Sequence, residues 1–366
     1  MPASEPHPLA DCGPPRRILI VRLSALGDVV CALPLYHGLR ARWPEAELAW
    51  AVQTEHAPLV AGLAGIARVC SFERRGGIGA WRRLARQLRD FAPDLTVDVQ
   101  GNLKSAATTL SSRAPLRVGL HPDDWRESMG SRSLTHHAPR AAGPHVVDRG
   151  LALSRWLTGR EAPPRFDPEL SAPERHAGRE RLRGLLGDEP APVAIQLGAP
   201  GDPRSWTLRG YAECAGLLSA AGRAVLVLAG PVEGEALAVL SAALSGTGET
   251  RAGRFATVLE RGGGRETAAL LAAVAERGGD FVGTDSGPSH LAAAVGLPVT
   301  LIAGPQDPAR TGPYPPSGGH HRVVLSHPAP PCRPCIKRRC EHEEGPVCTA
   351  GIRAEQVIEA LSRRRG

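Results

Sequence analysis

Lysine is nearly missing from this chain. Of its 44 basic residues only Lys104 and Lys337 are lysines, and arginine supplies the rest against 37 acidic residues. The net charge of +7 therefore has two readings, an anionic partner or an arginine-rich compositional bias. Aromatic residues are scarce as well, at 4%, and no basic run is interleaved with them. That removes the stacking platforms on which nucleic acids are held, so no nucleic-acid partner is expected. Long apolar runs are also lacking. A membrane-spanning helix needs about 18 uninterrupted apolar residues, and the longest candidate, 291–304, is broken by Pro298. Residues 1–15 have no basic-then-apolar leader pattern and are expected to form a disordered tail. No repeat of 20–50 residues is present, which excludes a solenoid. A cytoplasmic protein is expected.

What is present is a globular composition, 42% hydrophobic and 22% charged over 366 residues, long enough for two domains. Short β-rich runs at 18–23, 48–52, 68–71, 95–99 and 116–119 read as strands. Helical spacing separates some of them, near 28–42 and 81–91. Continuous rather than alternating apolar strands, interleaved with helices, indicate a parallel sheet covered on both faces. The segment 158–179, rich in proline and charge, reads as a linker. The alternation then resumes, with strands at 193–197, 224–228, 280–282 and 299–302 and helices near 208–221, 233–244, 266–275 and 289–295. An amphipathic helix at 352–362 closes the chain. The expected fold is α/β, with two doubly wound Rossmann-like domains at 16–165 and 166–366. Ligands of such domains bind at the carboxyl ends of the strands.

Two loops carry the chemistry. The first, Arg22-Leu-Ser-Ala-Leu-Gly-Asp28, follows the first strand. Gly27 suits a tight turn, and Asp28 either caps the next helix or takes a proton from an attacking hydroxyl. The second, Val282-Gly-Thr-Asp-Ser-Gly-Pro-Ser-His290, also joins a strand to a helix. Gly283 and Gly287 let backbone approach a ligand, and Pro288 suits a first helical turn. The amides opening that helix form a site for a diphosphate, to which Ser286 adds a hydroxyl. His290 is either part of that site or structural. Arg204 in Gly198-Ala-Pro-Gly-Asp-Pro-Arg-Ser-Trp206 can hold phosphate bidentately. Glu233, after another strand, can receive ribose hydroxyls. Taken singly, both are as readily solvated surface residues.

In combination these motifs resemble those of the heptosyltransferases. The opening Arg17-Ile-Leu-Ile-Val-Arg-Leu-Ser-Ala-Leu-Gly-Asp-Val-Val is similar to that family's first motif. Gly283-Thr-Asp-Ser-Gly-Pro-Ser-His-Leu-Ala-Ala-Ala, then Ala303-Gly-Pro-Gln-Asp-Pro, resembles its donor signature. Asp98-Val-Gln-Gly-Asn-Leu-Lys-Ser105 and Trp125-Arg-Glu127 resemble further family segments. The resemblance implies a GT-B architecture and an inverting, metal-independent transfer without a cofactor. Asp28 would be the general base, and the donor would be a nucleotide-diphosphate sugar, ADP-heptose by expectation. Arg204, Glu233, Asp285, Ser286, Gly287 and His290 would contact that donor. Ser24, Gly27, Lys104 and Arg126 would contact an anionic glycolipid acceptor, with peripheral association at the inner membrane. Some family members have hydroxyl residues where this chain has Gly198 and Ala199, which leaves the phosphate contact to backbone amides or Arg204. A transferase for another nucleotide sugar and an inert nucleotide-sugar-binding protein are the alternative readings.

Cys332, Cys335, Cys340 and Cys348 form a segment, 332–348, with the ligand count of a structural zinc site. Unbound thiols are the other reading. No carboxylate and histidine constellation marks a metal at the transfer site.

Overall fold

The structure, a computed structural model, describes residues 9, 13–245, 255–260, 264–316, 319–335, 337 and 339–363. Most of the tail expected at 1–15, with Cys12, lies outside the described residues. The chain divides into two compact units, Met1–Glu169 and Leu170–Gly366.

The first unit holds six strands: β1 (Arg17–Val21), β2 (Glu47–Gln53), β3 (Ile66–Phe72), β4 (Leu95–Asp98), β5 (Leu116–Gly119) and β6 (His136–His137). All pair in parallel in the order β3-β2-β1-β4-β5-β6. The order reverses between β1 and β4, and a doubly wound sheet binds its ligands at that point. Both strands are covered on both faces, β4 wholly and β1 from Ile18 onward, and β1 accordingly reads as an unbroken apolar run from Ile18 to Val21. The helix expected at 28–42 is two helices, Leu26–Cys31 and Leu33–Arg42, sharing Ala32 as a cap. Pro34, in the first turn of the second, has no amide to continue the first.

The second unit repeats the plan with β7 (Val193–Gln196), β8 (Val225–Ala229), β9 (Phe255–Leu259), β10 (Asp280–Thr284), β11 (Val299–Ala303) and β12 (Arg322–Leu325). Its parallel order is β12-β11-β10-β7-β8-β9, so its reversal lies between β7 and β10. The closing helix, Ala354–Ser362, packs on the helix Leu208–Ala220 and puts Val357 and Leu361 into the same core as Tyr211 and Leu218.

The stretch read as linker up to residue 179 is helical from Ala172 to Leu186. Ser171-Ala-Pro-Glu174 is a capping box: the Glu174 amide donates to Ser171 Oγ, and the Ser171 amide donates to the Glu174 carboxylate at 2.8 Å. The proline that suggested a linker sits in the first turn, where its missing amide costs nothing. At Gly178 this helix presses on Gly264–Glu276, and a Cβ there would lie 2.2 Å from the Ala269 carbonyl oxygen. Glu174 also accepts both nitrogens of the Arg265 fork, which with the Ser171 bonds holds its pKa down at about 2. A depressed carboxylate contributes stability above its unfolded value near 4.5 that is lost as pH falls toward 2. Glu174→Gln keeps the capping box but not the charge. It is expected to cost roughly 1 kcal/mol at neutral pH, with the gap to wild type closing between pH 4.5 and 2 in urea titrations.

Candidate active site

At the carboxyl edge of β1 the chain turns through 22–25 into the short helix Leu26–Cys31. Asp28 is not the N-cap of this helix but its third residue. One carboxylate oxygen accepts the Ala25 amide at 3.1 Å, and the other meets Arg22 Nη2 at 2.7 Å. The side chain stays 43% exposed, so both contacts hold it without covering it. Arg22 is itself anchored, its Nη1 donating to the Val99 carbonyl at 2.7 Å. Arg22 was not among the expected site residues, although it opens the motif. Gly27 lies inside the helix with no left-handed φ, so the tight turn expected of it does not occur. Ser24 is half-buried, and its amide and that of Leu23 point to Gln100 Oε1 at 3.4 and 2.6 Å.

Gln100 belongs to the loop after β4, on the other side of the reversal. Asp98 builds that loop: one oxygen accepts the Gln100 and Gly101 amides at 2.9 and 3.1 Å, and the other accepts Thr109 Oγ1. Complete burial pushes the Asp98 carboxyl upward, against those same bonds. Gly101 takes φ +71° there, which glycine adopts at little cost. Asn102 then caps the helix Leu103–Ser112 through the Ser105 amide at 3.0 Å. The Trp125-Arg-Glu127 segment closes on this turn, the Arg126 amide donating to Gly101 O and the Leu103 amide to Glu127. Lys104 and Arg126 are both exposed, with Arg126 3.5 Å from Glu127. In the first unit Ser24, Asp28, Lys104 and Arg126 thus lie on three segments, two of them opening helices, tied together by Gln100, Gly101 and Glu127.

In the second unit the loops after β7 and β10 flank the reversal. Arg204 is held by a residue that sequence reasoning passed over: its Nε and Nη2 donate to the two Asp202 oxygens at 2.9 and 2.5 Å. That pairing, opposed by burial and helped by the charge of Asp285, raises the Arg204 pKa. Burial works against the Asp202 carboxylate, but the Arg204 bonds prevail and leave it below its usual range. Arg204 and Asp285 line one small pocket with Gly304 and Gln306. Asp285 accepts Thr311 Oγ1 at 2.6 Å and lies 3.4 Å from His290 Nε2. Ser286 is the N-cap of the helix Gly287–Ala294, and its hydroxyl oxygen is buried with no hydrogen-bond partner among the described residues. Gly283 lies within β10, where a Cβ would meet the Phe281 ring at 2.7 Å.

A larger pocket of about 320 Å³ opens beside the 198–208 loop, reaching Tyr211, Ala236 and Thr349. Glu233 is buried with its carboxylate folded over Gly230, which leaves it off this wall. At Gly198, where a hydroxyl residue was missed, a Cβ would lie 2.4 Å from Ser205 Oγ. Ser205 therefore already occupies that space, its hydroxyl donating to the Ala199 carbonyl at 2.6 Å. Cys332, Cys335, Cys340 and Cys348 line one small hollow with Pro203 and Pro305. They are free thiols, and no three ligating side chains among the described residues are placed to hold a metal ion.

Comparison with known proteins identifies the family of this chain. Lipopolysaccharide heptosyltransferase 1 of Pseudomonas aeruginosa is 29% identical over 94% of this chain and 97% of its own length. The lipopolysaccharide core heptosyltransferase OpsX of Haemophilus influenzae is 23% identical over 82% of each chain. The solved structure of the Escherichia coli ADP-heptose lps heptosyltransferase II matches with a TM-score of 0.73 at 24% identity, covering 95% of this chain and 98% of that one, and shows the same GT-B fold. Residues 81–344 match the family described as glycosyltransferase family 9 (heptosyltransferase), and the chain belongs to that family of glycosyltransferases.

Proposed function

We propose that this enzyme moves heptose from ADP-heptose to the lipopolysaccharide core, or to a related anionic glycolipid, on the cytoplasmic side of the inner membrane. The observation that carries the reading is the Asp28 carboxylate, oriented by Arg22 and the Ala25 amide yet open to solvent at the β1–β4 reversal. In the transfer, the acceptor hydroxyl oxygen attacks the anomeric carbon from the side opposite the diphosphate. The bond to the diphosphate breaks, the hydroxyl proton passes to Asp28, and the anomeric configuration inverts. Charge gathering on the leaving diphosphate is met by Arg204, the amides opening the helix Gly287–Ala294 and Ser286 Oγ, which supply the electrostatic help without a metal. Asp285 contacts the donor sugar and Glu233 the nucleoside ribose. Ser24, Gly27, Lys104 and Arg126 receive the acceptor. The relatives named above are lipopolysaccharide heptosyltransferases, and another solved structure of the same fold is that of the Escherichia coli heptosyltransferase WaaC with ADP.

Calorimetric titration with ADP, UDP and GDP tests the donor. ADP is expected to bind at least about tenfold more tightly than the others, a discrimination worth about 1.4 kcal/mol. A preference for UDP or GDP would overturn the heptose donor, and no nucleotide binding would overturn the donor site itself.

A further inference from the structure

Large apolar side chains exposed on the first unit are not scattered. Among the described residues they are Ile78, Leu103, Leu110 and Met129, each about half exposed or more. All four lie on the helix Gly77–Phe91, the helix Leu103–Ser112 and the turn Ser128–Ser133. The two helices pack against one another, and the turn packs on the second, its Gly130 close to Ala106. On the first helix Ile78, Arg82, Arg86 and Arg89 form one exposed stripe. On the second, Leu103, Ala107 and Leu110 form another. Single exposed apolar residues are ordinary, but their concentration in one layer is not.

The same layer is basic. Segments 73–91, 103–113 and 125–133 hold ten arginines or lysines against three acidic residues. One of those acids, Glu73, is already paired with Arg83 at 3.0 Å. We propose that this layer is a docking surface for an anionic lipid bilayer, with the guanidinium groups among the headgroups and the Leu103, Leu110 and Met129 side chains at the acyl boundary. No helix of the described residues is long and apolar enough to cross a membrane, so the contact is peripheral. A second copy of the chain is the poorer occupant, since the pairing would set two positive faces against each other. The helix Leu103–Ser112 also starts from the loop that Gln100 ties to the Asp28 turn. Docking there brings the acceptor-side loops to the surface in which a glycolipid is embedded. The reason for docking rests on the glycolipid acceptor proposed above, while vesicle binding is measured without turnover, so either can fail alone.

The test is co-sedimentation of the full chain with phosphatidylcholine vesicles, with and without phosphatidylglycerol. Wild type is expected to bind the anionic vesicles, more weakly as salt rises, and to leave neutral ones in solution. Two variants, L103S/L110S/M129S and R82E/R86E, should each lose about tenfold or more in partitioning. Both should retain ADP affinity and thermal melting, and the second variant decides the matter if the first fails to fold. Equal binding to neutral vesicles, wild-type partitioning by a folded variant, or a dimer in light scattering that L103S/L110S/M129S dissolves would each overturn the proposal.

Discussion

Asp28→Ala is expected to lower turnover on the order of 10²- to 10⁴-fold, about 3–5 kcal/mol of barrier, with ADP affinity unchanged. The size follows from what the side chain can do besides catalysis. Its bond to the Ala25 amide completes half of a capping interaction on a six-residue helix, and losing such a cap costs about 1 kcal/mol. That is too little to account for the lost rate. Asp28→Asn separates the two roles, because the amide oxygen still accepts the Ala25 amide but the group no longer takes a proton. Initial rates with ADP-heptose should show the same loss of turnover in both variants, and calorimetry with ADP the same affinity as wild type. Turnover preserved in Asp28→Asn would sink the base assignment. ADP binding lost along with the rate would mark Asp28 as structural.

Arg22 shapes how that experiment is read. It donates one nitrogen to Asp28 and another to Val99 O, so it fixes where the carboxylate points and touches no substrate in this reading. The first strand ends at Val21, and Arg22 is the first residue beyond it, at the reversal of strand order. Periodicity locates such a residue but says nothing of its partner. The Val99 carbonyl lies on the neighbouring crossover, 77 residues away.

The parts of the fold that were legible in the sequence are those buried on both faces. Segments such as 193–195 and Val225–Ala229 are unbroken apolar runs because both of their faces are covered by helices. Elements at the margins were not legible. β6 is two histidines added to the sheet edge beyond β5, with no pattern to detect. The helix Leu103–Ser112 carries Thr108, Thr109, Ser111 and Ser112, poor helix formers by themselves. Three of those hydroxyls bond back to carbonyls three or four residues earlier, and Thr109 instead donates to Asp98. Tertiary contact decides that helix, as the Ser171 capping box decides the one misread as linker. Site glycines were misread for a related reason. Gly27 and Gly283 look like loop glycines by composition, but one is helical and the other is packed under an aromatic ring.

Arg204→Ala is expected to weaken ADP binding by about 10- to 100-fold, the loss of charge-assisted bonds to a diphosphate. The Asp202 pairing makes the prediction sharper. Both oxygens of Asp202 are held by the guanidinium, at 2.9 and 2.5 Å. Removing the arginine alone leaves a carboxylate beside the pocket that Arg204 shares with Asp285, where it repels the incoming phosphates. The double variant D202N/R204A should therefore bind ADP more tightly than Arg204→Ala, even though it has lost one more native side chain. Arg204→Lys keeps the charge but not the fork, and should fall between wild type and alanine. Calorimetry on wild type, Asp202→Asn, Arg204→Ala and the double variant forms a cycle whose coupling reports the pair directly. Simple additivity would mean that Asp202 does not orient the guanidinium toward phosphate. Unchanged ADP affinity in Arg204→Ala would remove Arg204 from the donor site and leave the helix amides beside Ser286 to hold the diphosphate alone.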